Sequence, residues 1–298
     1  MKVVECKDLT KVYGRSNALN NLSFSIEENK ITGLIGRNGA GKTTLLKIMA
    51  GFLHHSSGEI KVFEETPFNN LKVSANSIFI DNEMSFPPAL SLKELLITAG
   101  SFYPYWDQKL ADRLFDYFSF NPNIRHGNLS KGMKSTFNMI VGLAARCPLT
   151  IFDEPTSGMD SGVRKDFYRA VLKDYLAHPR SIILSSHLVE EVEDLLEDIL
   201  LIKEGEKCLH MPVEDLKEYA VGISGKTAIV DEVLSGKDII FEQSIGTDST
   251  YVVIKKDGSQ KELEKAEESG LELTAVSIDN LCLYLTSKTT GGIDHVFS

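Results

Sequence analysis

Two short segments hold residues whose types and spacing could do chemistry together. Gly36-Arg37-Asn38-Gly39-Ala40-Gly41-Lys42-Thr43 fits the pattern G-x-x-x-x-G-K-[ST] without a mismatch. A compact apolar run at 31–35 precedes it, and a helical pattern at 43–50 follows and stops near Gly51. Glycines at this spacing let successive backbone N–H groups converge on an anion, and the helix N-terminus adds partial positive charge. Gly36, Asn38, Gly39, Ala40, Gly41, Lys42, Thr43 and Thr44 are therefore expected to wrap phosphate groups. Lys42 would reach the β- and γ-phosphates of a nucleotide, and the Thr43 hydroxyl would bind Mg²⁺. The competing reading, a chance glycine-rich turn, does not account for the strand before the loop and the helix after it.

The second segment is Leu149-Thr150-Ile151-Phe152-Asp153-Glu154, an apolar strand that ends in two carboxylates. Such a strand belongs in the middle of a sheet, and ligands of open α/β sheets bind at the C-terminal edge of the strands. Asp153 is placed to hold Mg²⁺ and Glu154 to orient or deprotonate an attacking water. Read alone, the pair could equally be the acidic start of a helix; beside a phosphate loop it reads as catalytic.

The elements that must position these groups follow from hydrophobic period. Residues 3–6, 22–26, 31–35, 78–80, 149–152 and 181–185 read as strands. Residues 43–50, 135–146, 162–176 and 188–196 read as helices, and 90–118 is mostly helical with a break at Pro104. Strands alternating with helices imply crossover connections and a largely parallel sheet. After Met211 the style changes. Expected strands at 227–230, 238–241, 251–254 and 271–276 surround a charged helix at 260–268, which suggests a small α+β accessory domain over 212–288 and a loose tail at 289–298.

Composition narrows the function. The 298 residues carry 32 Lys/Arg and 42 Asp/Glu, a formal charge of −10, which argues against a broad nucleic-acid surface. The charge is uneven: residues 1–61 hold 9 Lys/Arg and 5 Asp/Glu, which suits an anionic ligand, whereas 187–234 hold 4 and 13. No apolar stretch approaches the roughly 18–20 residues of a membrane span, and the first residues do not form a signal peptide. Cys6, Cys147, Cys208 and Cys282 are isolated, which fits a reducing compartment.

With these motifs in place, residues 1–211 resemble the ATPase subunit of an ATP-binding cassette (ABC) transporter, of bacterial exporter type. Leu129-Ser130-Lys131-Gly132-Met133 resembles the family signature LSGGQ, with Lys and Met in place of Gly and Gln. Read without the resemblance, Ser130 is a helix N-cap. The resemblance implies a P-loop fold: a mostly parallel sheet with antiparallel strands and a helical subdomain at about 82–146. It implies that Ser130 and Gly132 contact the nucleotide held by a second subunit, and that Ser157-Gly158-Met159-Asp160 is the D-loop, with Asp160 near the nucleotide. It also implies that His187 is the switch histidine and that Tyr13 stacks on adenine, against the alternative of a core or turn tyrosine. The family's Q-loop glutamine has no counterpart. Asn82 stands there, one methylene shorter, and would serve Mg²⁺ or the attacking water, with Glu83 as a substitute. Partners implied are a membrane permease, a second ATPase subunit (the same chain or another) and no nucleic acid, at the inner face of the cell membrane. The aromatic-rich stretch 82–106 would receive the permease, through Phe86 and Tyr105 among others. The rival classes are a non-transport ABC ATPase acting as a soluble regulator and a non-hydrolysing nucleotide-binding module. Every motif precedes Met211, so residues 213–298 are expected to be dispensable for the chemistry.

Overall fold

In the computed structural model, which describes residues 1–256 and 260–287, the chain forms two compact units. Met1–His187 and Asp194–His210 make the first; Leu188–Glu193 and the chain from Met211 onward make the second. The expected tail at 289–298 lies outside the described residues.

The first unit starts with a long hairpin, β1 (Lys2–Tyr13) and β2 (Ser16–Glu27), whose sheet β4 (Ser57–Val62) completes in the antiparallel order β2-β1-β4. Both hairpin strands outrun the expected 3–6 and 22–26. Register irregularities in β1 break the alternation that a sequence reading follows. The second sheet is built from β3 (Ile31–Ile35), β5 (Ser77–Ile80), β6 (Leu149–Asp153), β7 (Ser181–Ser186), β8 (Asp198–Lys203) and β9 (Glu206–Pro212), in the order β5-β6-β7-β3-β8-β9. Its first five strands pair in parallel, as expected for crossover connections.

Helix α1 (Lys42–Met49) lies in the core between the sheets. Its Leu45, Leu46, Ile48 and Met49 share one buried cluster with Val4 and Leu22 of the small sheet and Ile151 and Ile183 of the large one. A short helix, α2 (Leu71–Asn76), leads into β5. The helical region holds α3 (Leu92–Ala99), α4 (Gln108–Tyr117) and α5 (Lys131–Ala145), and α6 (Ser161–Ala177) follows β6. On β6, Ile151 faces the α1 cluster, whereas Phe152 packs edge-on against Phe167 of α6 and beneath Gly142 of α5. A strand covered on both faces must be apolar throughout, which is why β6 was legible.

The second unit continues with α7 (Val213–Lys217), β10 (Ala220–Lys226), α8 (Thr227–Val233), β11 (Ile239–Ile245), β12 (Ser249–Lys255), α9 (Gln260–Glu268), β13 (Glu272–Ala275) and α10 (Ile278–Thr286). The strands form an antiparallel sheet in the order β11-β12-β10-β13. From β10 to β13 this is the β-α-β-β-α-β ferredoxin-like arrangement. Val221, Ile223, Val252 and Ile254 of the sheet bury Val230 of α8 and Ala266 of α9.

Two expected elements are corrected. Residues 227–230, expected as a strand from Thr-Ala-Ile-Val, open α8. Burial of Val230 and Leu234, four residues apart, outweighs the β-branched preference. Residues 188–196, expected as one α-helix, form two 3₁₀ turns, Val189–Glu191 and Glu193–Leu195. Val189, Val192 and Leu195 are all buried, and their spacing of three is the 3₁₀ period.

Candidate active site

Strand register assembles the site. Asp153 lies opposite Ser185 on the neighbouring strand β7, and Ile35 of β3 lies opposite Ser186. On the other side of β6, Ile80 pairs with Phe152. The chain leaves all four strands at one edge. The order β5-β6-β7-β3 therefore delivers Asn82, Asp153 with Glu154, His187 and the glycine loop side by side.

The glycine loop feeds directly into α1. Gly41 stands at the helix start with φ 102°, and a Cβ there would meet the Ala18 carbonyl oxygen at 2.5 Å, so only glycine fits. Arg37, Asn38, Gly39, Ala40, Gly41, Lys42, Thr43 and Thr44 line a cleft of about 230 Å³ together with Ala18 and Glu154. Lys42 is buried. Its Nζ donates to the Gly36 carbonyl at 2.6 Å and lies 3.2 Å from Glu154 Oε1.

Glu154 is held from several sides. His187 Nδ1 donates to its Oε2 at 2.7 Å. Its backbone is left-handed, φ 47°, a conformation that costs a side-chain-bearing residue about 1–2 kcal/mol. Two side chains clamp that backbone: Glu154 N donates to Ser185 Oγ at 2.9 Å, and Asn82 Nδ2 donates to the Glu154 carbonyl at 3.1 Å. Ser185 in turn donates to Asp153 Oδ1 at 2.6 Å, which ties the two acids together. Oε1 of Glu154 is buried without an aligned hydrogen bond, on the wall of the phosphate cleft.

Asn82, expected to serve Mg²⁺ or the attacking water, is engaged within the chain. Its Oδ1 accepts from Ser135 Oγ at 2.9 Å, and its amide nitrogen is on Glu154, so both ends are engaged within the chain. It is not among the residues that line the cleft. Glu83, the expected substitute, is 82% exposed and pairs with Lys47 at 3.3 Å.

The signature opens α5, which starts at Lys131, four residues earlier than expected. Ser130 is its N-cap, accepting from Met133 N at 3.3 Å, and is exposed. Gly132 backs directly onto the Gly158 carbonyl, where any Cβ would collide. Signature and D-loop of one chain are thus packed together. Asp160 is the N-cap of α6, its Oδ1 accepting from Gly162 N and Val163 N at 3.0 Å each, so this carboxylate has an internal task. None of these residues lines the phosphate cleft. Tyr13 ends β1, 49% exposed, with Lys11 Nζ 5.0 Å from its ring centre. It is neither a core tyrosine nor part of the cleft lining.

The sequence reading missed Ser185 and Ser135. The signal was present: hydroxyls in an otherwise apolar, fully buried strand must find partners, and Ser185-Ser186 close such a strand. Of the aromatics at 82–106, Phe86 packs edge-on to His126 and Phe137 inside the helical region, while Phe102 and Tyr105 are exposed.

Comparison with known proteins bears on the family and the fold. Residues 19–157 match the family described as ABC transporter. Residues 19–157 thus carry an ABC transporter domain. The chain is 26% identical over 260 residues to the ABC transporter ATP-binding protein YtrB of Bacillus subtilis, covering 87% of this chain and 89% of that one. It is also 26% identical over 303 residues to the bacitracin transport ATP-binding protein BcrA of Bacillus licheniformis, covering 97% and 98%. The cassette fold is shared with a solved ATP-binding subunit of an ABC transporter, at TM-score 0.65 and 23% identity, over 72% of this chain and 92% of that chain. A dimeric cassette solved after hydrolysis with ADP and Pi matches at TM-score 0.62 and 20% identity, over 70% and 98%. Among the described residues, no helix is long and apolar enough to cross a membrane.

Proposed function

We propose that the chain binds and hydrolyses ATP to drive a separate membrane permease, working at the inner membrane face as one of two cassettes in an ABC transporter. The observation that carries the reading is the Glu154 carboxylate, set between Lys42 at 3.2 Å and His187 at 2.7 Å on the wall of the glycine-loop cleft.

Lys42 and the loop N–H groups bind the β- and γ-phosphates, where positive charge opposes the charge spreading over the transferred group. Glu154 orients the attacking water and accepts its proton, and its Oε1, which faces the cleft beside Lys42 without an aligned hydrogen bond, is the atom for that. His187 holds the carboxylate by its Nδ1–H, which leaves Nε2 for the γ-phosphate. The donor set also fits Mg²⁺: a carboxylate, Asp153, and a hydroxyl, Thr43, are oxygen ligands of the kind a small hard cation takes. When bound, Mg²⁺ would neutralise phosphate charge.

Ser130 and Gly132 lie outside the chain's own cleft, and Ser130 is exposed at a helix N-terminus, which suits an anion presented by a second subunit. Two copies meeting head to tail would complete two sites across a two-fold axis. Tyr13, exposed at a strand end, suits stacking on adenine. For the permease, a groove of about 540 Å³ lined by Lys47, Phe52, Phe79, Met84 and Tyr103 is the better dock than Phe86, which is engaged internally.

Glu154→Gln tests the reading. The amide keeps the shape and cannot take the water's proton, so ATP should bind and turnover should fall by about 10²-fold or more. Size-exclusion chromatography should then show an ATP-dependent dimer. A variant that hydrolyses ATP normally would show that another group is the base.

A further inference from the structure

We propose that Ser135, on the signature helix α5, is a positioning residue for Glu154. The proposal rests on the catalytic reading above and extends it to a side chain that does not line the phosphate cleft. Every residue involved belongs to the first unit. The left-handed backbone of Glu154, φ 47°, persists only while its surroundings over-determine it. Ser185 Oγ holds the N–H. On the other side of the residue two donors converge on the Glu154 carbonyl, Asn82 Nδ2 at 3.1 Å and Ser157 N at 3.2 Å. With N–H and carbonyl both held, the two soft dihedrals are fixed, and so is the direction in which the carboxylate leaves the chain.

Ser135 stands behind both of those donors. Its Oγ lies 2.9 Å from Asn82 Oδ1 and 2.9 Å from the Ser157 carbonyl oxygen. A hydroxyl has one proton to give, and whichever of the two accepts it belongs to a residue that holds the Glu154 carbonyl. The plainer alternative is a helical serine that only bonds back to its own i−4 carbonyl. That oxygen, on Lys131, is farther away, at 3.2 Å. Ser135 is buried, so its hydroxyl depends on these partners rather than on water. The same face of α5 keeps the hydroxyl within reach. One turn on, Asn138 Nδ2 donates to the Asp81 carbonyl at 3.2 Å. Two turns on, Gly142 lies so close to β5 that a Cβ would meet Ile80 Cγ1 at 2.8 Å. Positions 135, 138 and 142 share one side of the helix, which thus grips residues 80–82 at three points. A shift of α5 therefore passes through Asn82 to the backbone of the base. Displacing a catalytic group by about 1 Å can cost up to 10²-fold in rate.

The test compares steady-state ATP hydrolysis and nucleotide affinity in full-length chains. Ser135→Ala should lower kcat by roughly tenfold, within that range, and leave ATP affinity within twofold. Asn82→Ala removes the same link from its other end and should do likewise. Asn82 is exposed, so this variant reports even where Ser135→Ala fails to fold. The two losses should not add: the double variant should turn over about as slowly as the slower single one. In a Glu154→Gln background, Ser135→Ala should slow turnover no further. Wild-type kcat in Asn82→Ala, or in a folded Ser135→Ala, would overturn the proposal, as would an equal added loss in the Glu154→Gln background. A parallel fall in kcat and ATP affinity would also overturn it, since that marks a serine that only supports the fold. A Glu154→Gln chain that hydrolyses like wild type would instead overturn the catalytic reading beneath it.

Discussion

The Glu154 backbone sits in a conformation that side-chain-bearing residues rarely take, and Ser185, which helps to keep it there, belongs to no motif. Ser185 is fully buried and serves both acids, accepting from Glu154 N and donating to Asp153 Oδ1. Ser185→Ala would leave two buried groups unpaired, at about 1–3 kcal/mol each. The expected outcome is a drop in kcat that exceeds any loss of ATP affinity, read by comparing turnover with nucleotide titration. An equal fall in both would mean that Ser185 only supports the fold. The positions of Asp153, Glu154 and His187 were legible because each lies at or just after a strand end, and that of Lys42 because it opens the helix after the glycine loop. The task of Asn82 was not, since it depends on Ser135, fifty-three residues away in sequence and brought close only by α5.

Elements were legible where one pattern dominates. Ile31–Ile35 and Gln260–Glu268 match the reading residue for residue, one a doubly covered strand and the other a charged helix. The strand Ala220–Lys226 was missed because two glycines interrupt it. Gly222 is needed there: a Cβ would meet the Tyr251 hydroxyl at 2.5 Å and Thr274 Oγ1 at 2.6 Å. The strand Asp198–Lys203 was missed because Ile199 continues the apolar spacing of the turns before it. A buried ion cluster joins several cassette elements. Arg146, at the C-terminal end of α5, pairs with Asp107 at 3.0 Å and with Asp174 of α6 at 3.0 Å, while Arg180, just before β7, pairs with Asp174 at 2.8 Å. Asp174→Ala would leave two largely buried guanidinium groups short of their carboxylate. Removing one partner of a buried pair costs about 3–5 kcal/mol, so thermal melting of the cassette should move to clearly lower temperature. An unchanged melting temperature would show that the cluster is replaceable by water.

At the scale of the whole molecule, a catalytic cassette and a ferredoxin-like unit share one chain that crosses between them more than once. Contiguous motifs show the first unit clearly. They gave no hint that Leu188–Glu193, next to His187, packs with the second unit, because packing partners far apart in sequence leave no local mark. The expectation that residues 213–298 are dispensable for the chemistry treated the cassette as contiguous, whereas Leu188–Glu193 belong to the second unit. The account stands on ATP being hydrolysed at the edge where β5, β6, β7 and β3 end. Phosphate release by the purified full-length chain, wild type against Lys42→Ala, tests this most directly. Removing the charge that faces the β- and γ-phosphates should lower turnover by about 10²-fold or more. Near-normal phosphate release from Lys42→Ala would contradict the account.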